Sequence, residues 1–194
     1  MSSNHNPLTV ALLALGLVSS AIPVMAAPNA TTPSTLTPQS ACVPAAERYA
    51  RRFRLGGAVN SPKTFDYTAL KQYAPSKANV AYYSGSAGLV TTSYVGVLLY
   101  DLLSKAGVIT DPDIKNDLNR KYVVITATDC YQTIVSYAEI DPGFGGQPVL
   151  VAYENADGTP LGSSEGMARL VVPGDKKGGR YVSNVKSITV RSAP

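Results

Sequence analysis

Tyr94-Val95-Gly96-Val97-Leu98-Leu99-Tyr100-Asp101-Leu102-Leu103, followed by Ser104-Lys105-Ala106-Gly107-Val108, is the stretch on which the fold turns. From Val97 to Ala106 the leucines at 98, 99, 102 and 103 recur at helical spacing and share one face. Gly107 stands where a helix ends, because a residue without a β-carbon takes the left-handed backbone at no steric cost. The spacing predicts a helix over 97–106. Upstream, Asn79 to Ser84 is rich in β-formers and Gly85 to Gly88 reads as a loop. Further back, Phe53, Leu55 and Val59 alternate around Gly56-Gly57, predicting a first strand with a bulge over 52–59. Pro62 breaks the chain, and Thr64 or Asp66 caps a short helix through Leu70 and Tyr73. Ala45 to Arg52 reads as another short helix.

Downstream of Val108, Asp111 to Lys121 is a polar connection. Tyr122–Ala127 and Gln132–Tyr137 then read as paired strands around the turn Thr128-Asp129-Cys130-Tyr131. Val149–Tyr153, Ala168–Val172 and Val185–Arg191 read as three more strands, punctuated by Asp157-Gly158 and Pro173-Gly174. Many short strands with few helices, not alternating regularly, predict an α+β fold with mixed or antiparallel sheets.

The N-terminus has a different logic. Leu8 to Val18 is an almost unbroken apolar run, too short to span a bilayer and long enough for a secretory signal. Val24-Met25-Ala26 fits a signal-peptidase site. Residues 1–26 are therefore expected to be a signal peptide and 27–43, rich in Pro, Thr and Ser, a flexible leader. One domain is expected over 44–194. The mature protein is expected in the periplasm or outside the cell, without a membrane span.

Composition narrows the chemistry. With 45% hydrophobic and 15% charged residues the chain is globular rather than disordered. A net charge of +4, without aromatic-basic interleaving, argues against nucleic acid and is accounted for by solubility or by attraction to an anionic ligand. The single histidine, His5, lies in the expected signal. The mature domain therefore has no imidazole for a Ser-His-Asp or Cys-His nucleophile or for a histidine metal site. Its two cysteines, Cys42 and Cys130, read as a disulfide in an oxidising compartment.

In order along the chain, six segments resemble the sulfite oxidase-like molybdopterin-binding domain family. Phe53-Arg54-Leu55-Gly56-Gly57-Ala58-Val59 with Pro62 and Leu70 resembles its opening. Tyr94 to Leu103 with Ala106-Gly107-Val108 resembles "Y-x-G-V-x-L-x-D-L-L…A-G-V". Thr126-Ala127-Thr128-Asp129-Cys130-Tyr131 resembles "A-x-D-G-Y", with cysteine in place of glycine. Val149 to Glu154 with Asp157 to Leu161, Gly166 to Pro173, and Gly179 to Val190 resemble the rest. The resemblance covers about residues 52 to 191 and implies the mixed α+β fold of that family. It implies molybdopterin as a possible cofactor, with a cysteine thiolate as molybdenum ligand. That cysteine belongs before Tyr94, where Val80-Ala81-Tyr82-Tyr83-Ser84-Gly85 has none.

The resemblance also marks Arg169, Arg180 and Lys186 as cofactor-binding candidates, with Asp129 at the pocket edge. Each has a plainer reading. Arg169, in an apolar strand, suits pairing with an internal carboxylate. Arg180 follows Gly178-Gly179, whose amides suit an anion nest, or is a solvated charge like Lys186. Asp129 and Cys130 are a pocket acid and a thiol, or an Asx turn and a disulfide half. Tyr82, Tyr83, Tyr94 and Tyr100 line a pocket or fill the core. Ser84 to Gly88 is a phosphate cradle or a plain loop, and Arg48 to Arg54 an acidic-surface contact or a solvated face.

Two functions compete, beside a plainer third option, a purely structural domain whose pocket is closed by side chains. One is a cofactor-free binding or accessory module, with a small anionic ligand or a periplasmic protein as partner. The other is a molybdopterin-dependent oxidoreductase, or its pterin-binding subunit, with altered metal ligation. The resemblance connects the first to export. Loaded enzymes of the family cross the membrane folded, behind a twin-arginine signal. No twin arginine, and no Arg or Lys at all, precedes Leu8 here, so the signal reads as the general secretory kind, which threads unfolded chains.

Overall fold

The computed structural model of the protein describes Cys42 and residues 49–194. The expected signal peptide and most of the expected leader lie outside the described residues, as do Ala45 to Arg48. Residues 49–52 are not helical. Their backbone is spent on tertiary partners: Ala50 donates to Asn184 Oδ1 at 3.2 Å, and its carbonyl accepts from Met167.

The order is β1 (Phe53–Gly57), β2 (Lys63–Phe65), α1 (Tyr67–Leu70), β3 (Ser76–Ser84), β4 (Gly88–Leu98) and α2 (Leu99–Ala106). Then come β5 (Lys121–Ala127), β6 (Gln132–Ser136), α3 (Tyr137–Ile140), β7 (Leu150–Asn155), β8 (Arg169–Val171) and β9 (Val185–Ser192). Short 3-10 turns occupy Asp117–Arg120 and Gly178–Arg180. One sheet runs β2-β1-β9-β5-β6 and the other β3-β4-β7-β8. β1 pairs with β9 in parallel and the other strand pairs are antiparallel. The expected α+β class with mixed and antiparallel sheets is what the chain adopts.

Alternation decides which faces are buried. In β3, Ala78, Val80 and Tyr82 turn inward while Lys77, Asn79, Ala81 and Tyr83 face out. β7 is buried from Leu150 to Glu154, as a strand covered on both faces must be. Leucines 99, 102 and 103 of α2 join the same core as Phe53, Leu55, Ile125 and Ile188. Gly107 ends α2 at φ +70, and its N–H donates to Leu103 and Ser104.

The helix begins two residues later than its pattern suggests, because Val97 and Leu98 pair with Val151 and Leu150 and close β4. Asp66, not Thr64, caps α1: its Oδ1 accepts from Ala69 N–H at 2.8 Å, while Thr64 lies in β2. Cys42 and Cys130 form a disulfide with their Cα atoms 5.3 Å apart.

Candidate functional site

The β3–β4 hairpin and the loop before β9 face each other across an open cleft of about 660 Å³. Tyr82, Tyr83, Ser84 and Gly85 come from the end of β3. Lys177, Gly178, Gly179 and Tyr181 come from the loop, and Arg169 comes from β8. The walls are stitched together at several points. Tyr83 N–H donates to the Lys176 carbonyl at 2.9 Å, and from outside the cleft Tyr131, in the β5–β6 turn, holds the loop by donating its Oη to the Gly179 carbonyl. The Tyr82 and Tyr181 rings stack with centroids 4.1 Å apart. A β-carbon on Gly178 would come within 2.9 Å of the Tyr82 ring, so only glycine lets the loop approach this closely.

Arg169 lies at the heart of the cleft. Its guanidinium sits 6.0, 5.5 and 5.7 Å from the ring centres of Tyr82, Tyr94 and Tyr181, within cation–π range. One terminal nitrogen pairs with Glu165, and the other donates to Tyr82 Oη at 3.0 Å. Tyr94 Oη donates to the same Glu165 oxygen at 3.1 Å. Burial pushes the Tyr181 hydroxyl up to about 12 and holds Tyr94 well above its ordinary value, so both stay protonated donors. Two buried side-chain atoms lack any hydrogen-bond partner among the described residues: Arg169 Nε and Tyr181 Oη. Both belong to residues lining this cleft. An unpaired buried polar group is costly, so each such atom calls for a reason.

The other candidates are dispersed. Arg180 donates to Asp175 at 2.8 and 2.7 Å and to Glu139 at 2.9 Å, and those carboxylates keep its charge occupied. These bonds, Asp175 first, hold its guanidinium above the ordinary value. Lys186 is the extra residue of a bulge where β9 passes Thr126 and Ala127, and it is half-exposed. Asp129 makes the Asx turn: its Oδ1 accepts from Tyr131 N–H at 3.0 Å. Cys130, at φ +67, carries the disulfide beside it.

Of the four tyrosines singled out in the sequence, Tyr82 and Tyr94 are buried and Tyr100 is half-buried. Tyr83 is 63% exposed on the cleft rim. Ser84 to Gly88 form the hairpin turn, and Ser84 and Gly85 line the cleft.

Lys177, Tyr181 and Asn184 escape sequence reasoning. Lys177 and Tyr181 look like an ordinary loop charge and a core aromatic. Asn184 adopts φ +51, a conformation asparagine tolerates better than most residues, and it ties four segments together. Its Oδ1 accepts from Ala50, its Nδ2 donates to the Ser164 carbonyl at 3.0 Å, its own carbonyl accepts from Thr128 N–H, and its N–H donates to the Glu165 carbonyl.

Among the described residues, no cluster of three or more His, Cys, Asp or Glu is placed to hold a metal ion. No helix among them is long and apolar enough to cross a membrane.

Comparison with curated proteins finds no match. Among solved structures, the sulfane dehydrogenase SoxCD from Paracoccus pantotrophus is similar with a TM-score of 0.59 and 20% identity, over 73% of this chain. The aligned part amounts to 38% of that chain's length, so the likeness is one of fold and of part of a larger protein. The family model described as oxidoreductase molybdopterin binding domain matches residues 40–194. Its span takes in both sheets, the cleft around Arg169 and the disulfide: the chain belongs to the oxidoreductase molybdopterin-binding domain family.

Proposed function

We propose that this protein is an exported, non-catalytic member of its family that binds a small anionic ligand in the Arg169 cleft as an accessory module. The observation that carries the reading is the state of its sulfur. The chain has two cysteines, and both are spent in the Cys42–Cys130 disulfide. A disulfide sulfur is not the soft thiolate that a molybdenum ligand requires.

The family's cofactor has two halves, and the residues present treat them differently. For the pterin half, Arg169 Nε and Tyr181 Oη are unpaired donors, and the Lys177 ammonium lines the same cleft. For the metal half, the cleft offers neither thiolate nor imidazole. The complete group does not fit, and no step is derived through it. A small carboxylate or phosphate suits the cleft better: its charge meets the exposed Lys177, and its oxygens are acceptors of the kind that the two orphaned donors, buried behind the cleft surface, lack. The absence of a twin arginine before Leu8 supports export as an unfolded chain, before any cofactor is held.

The orphaned donors also favour a second reading, a pterin-binding subunit or molybdopterin-dependent oxidoreductase with altered ligation. One experiment separates the two. The protein is purified from its own host grown with molybdate, and molybdenum is measured together with fluorescence of released pterin. Absence of both is expected. Near-stoichiometric molybdenum would sink the proposal, and pterin without metal would leave the pterin-binding subunit as the answer.

A further inference from the structure

β3 is an edge strand of the four-stranded sheet, paired with β4 over its whole length from Ser76 to Ser84. In an antiparallel pair, successive residues direct their backbone groups alternately to the partner strand and away from it. Tyr83 fixes the phase, because its N–H points outward to the Lys176 carbonyl and it bridges Lys177. By that alternation Lys77, Asn79 and Ala81 also direct N–H and C=O outward. No described residue pairs with them there. Their side chains are exposed.

A second feature lies against the same stretch. Ser76 to Asn79 form one wall of a groove of about 480 Å³ whose other walls are Leu98, Leu150, Pro148 and Pro173. At the other end of the strand the loop past Pro173 meets β3 at a single bridge, Tyr83 to Lys177. The open edge is thus framed, with an apolar slot at one end and the bridged loop at the other.

We propose that β3 is a docking edge for an extended peptide segment of a partner protein, which adds as a fifth strand to this sheet. Its backbone pairs with Lys77, Asn79 and Ala81, about 7 Å apart along the edge. An apolar side chain enters the slot between Pro148 and Pro173. Lys77 on the edge, and Lys176 and Lys177 past its end, are exposed cations, so the segment is acidic at its flanks. This edge meets the Arg169 cleft only at its far end, where Tyr83 and Lys177 belong to both; the pairing at Lys77, Asn79 and Ala81 does not depend on what the cleft holds.

The test pans the purified full-length protein against a random-peptide phage library and measures the selected peptides by fluorescence anisotropy. Enrichment of alternating apolar sequences with acidic flanks is expected. Ala81→Pro removes one outward N–H and leaves the β3–β4 ladder intact, since that group makes no bond to β4. It is expected to weaken the selected peptides about tenfold or more. Lys77→Glu keeps the test decisive if the proline variant does not fold, because it is expected to reverse the preference for acidic flanks. Hydrogen exchange of the free protein should show fast amides at 77, 79 and 81 and slow ones at Val80 and Tyr82. Absence of enrichment, equal binding by Ala81→Pro, or slow exchange at all five amides would overturn the proposal. So would a concentration-dependent dimer abolished by Ala81→Pro, which would make a second copy the occupant.

Discussion

Asn184 and Gly166 form a lock on which the site depends. Gly166 has φ +80, and a β-carbon there would lie 2.5 Å from Asn184 Oδ1 and 2.8 Å from its Cα. Gly166→Ala is therefore expected to destabilise the protein by roughly 2–4 kcal/mol, read as a lower denaturant midpoint at unchanged slope. Two carboxylates give the fold its acid limit. Hydrogen bonds from Lys71 and then Tyr67 hold Glu154 below its ordinary value, and bonds from Lys121 and the Asp111 amide do the same for Asp117. A depressed carboxylate contributes stability that is fully present above its unfolded value and is lost as pH falls through its folded value. Thermal stability should thus be flat with respect to these groups above about pH 5 and fall progressively below about pH 4. Asp117→Asn should reduce that acid-side slope in a melting series. At this scale the sequence pointed to Arg169 and its internal carboxylate, because a charge within an apolar strand demands a partner. Asn184 and Tyr181 carry no such mark: their roles come from neighbours distant in the sequence, such as Ala50, Ser164 and Tyr82.

The elements were legible where pattern and pairing agree. β1, β5, β6, β7, β8 and β9 fall within a few residues of their expected positions, since alternation and turn residues are local signals. β4, the longest strand, has no counterpart in the sequence reading. Thr91, Thr92 and Ser93 dilute its apolar alternation, and its last two residues continue the leucine pattern of α2. α3 is a single turn with no side-chain cap, too short to show a period. Gly96 is the critical point of β4. The register with β7 shifts at Val95/Gly96, and a β-carbon on Gly96 would lie 2.3 Å from the Val151 carbonyl oxygen. Backbone cannot give way there as a flexible side chain can. Gly96→Ala should cost about 3 kcal/mol or more and loosen the β4–β7 amides first in hydrogen exchange.

For the molecule as a whole, the Cys42–Cys130 disulfide closes a loop with a separation of 88 residues. In the chain-entropy treatment a loop of that length is worth roughly 4–5 kcal/mol, by restricting the unfolded chain. The double variant Cys42→Ser/Cys130→Ser should lose up to that amount in denaturant unfolding, and added reductant should bring the wild type to the same midpoint. If reductant leaves the midpoint unmoved, the pair is not bridged in solution. The α+β class and the family were readable in the sequence because six segments keep their order. The cleft was not, because its walls meet only after β3, β8 and the loop before β9 are folded together.

The strand order of the five-stranded sheet carries a further consequence. β9, the last strand to leave the ribosome, lies at the sheet's centre, between β1 and β5. Until Val185 to Ser192 emerge, β1 and β5 have no common neighbour, and the apolar faces of Phe53, Leu55 and Ile125 cannot close over Ile188. Closing of this sheet therefore waits for residues 185–192. Before they emerge the chain's apolar strands stay open to chaperones, and a truncation that removes them leaves the sheet without its central strand.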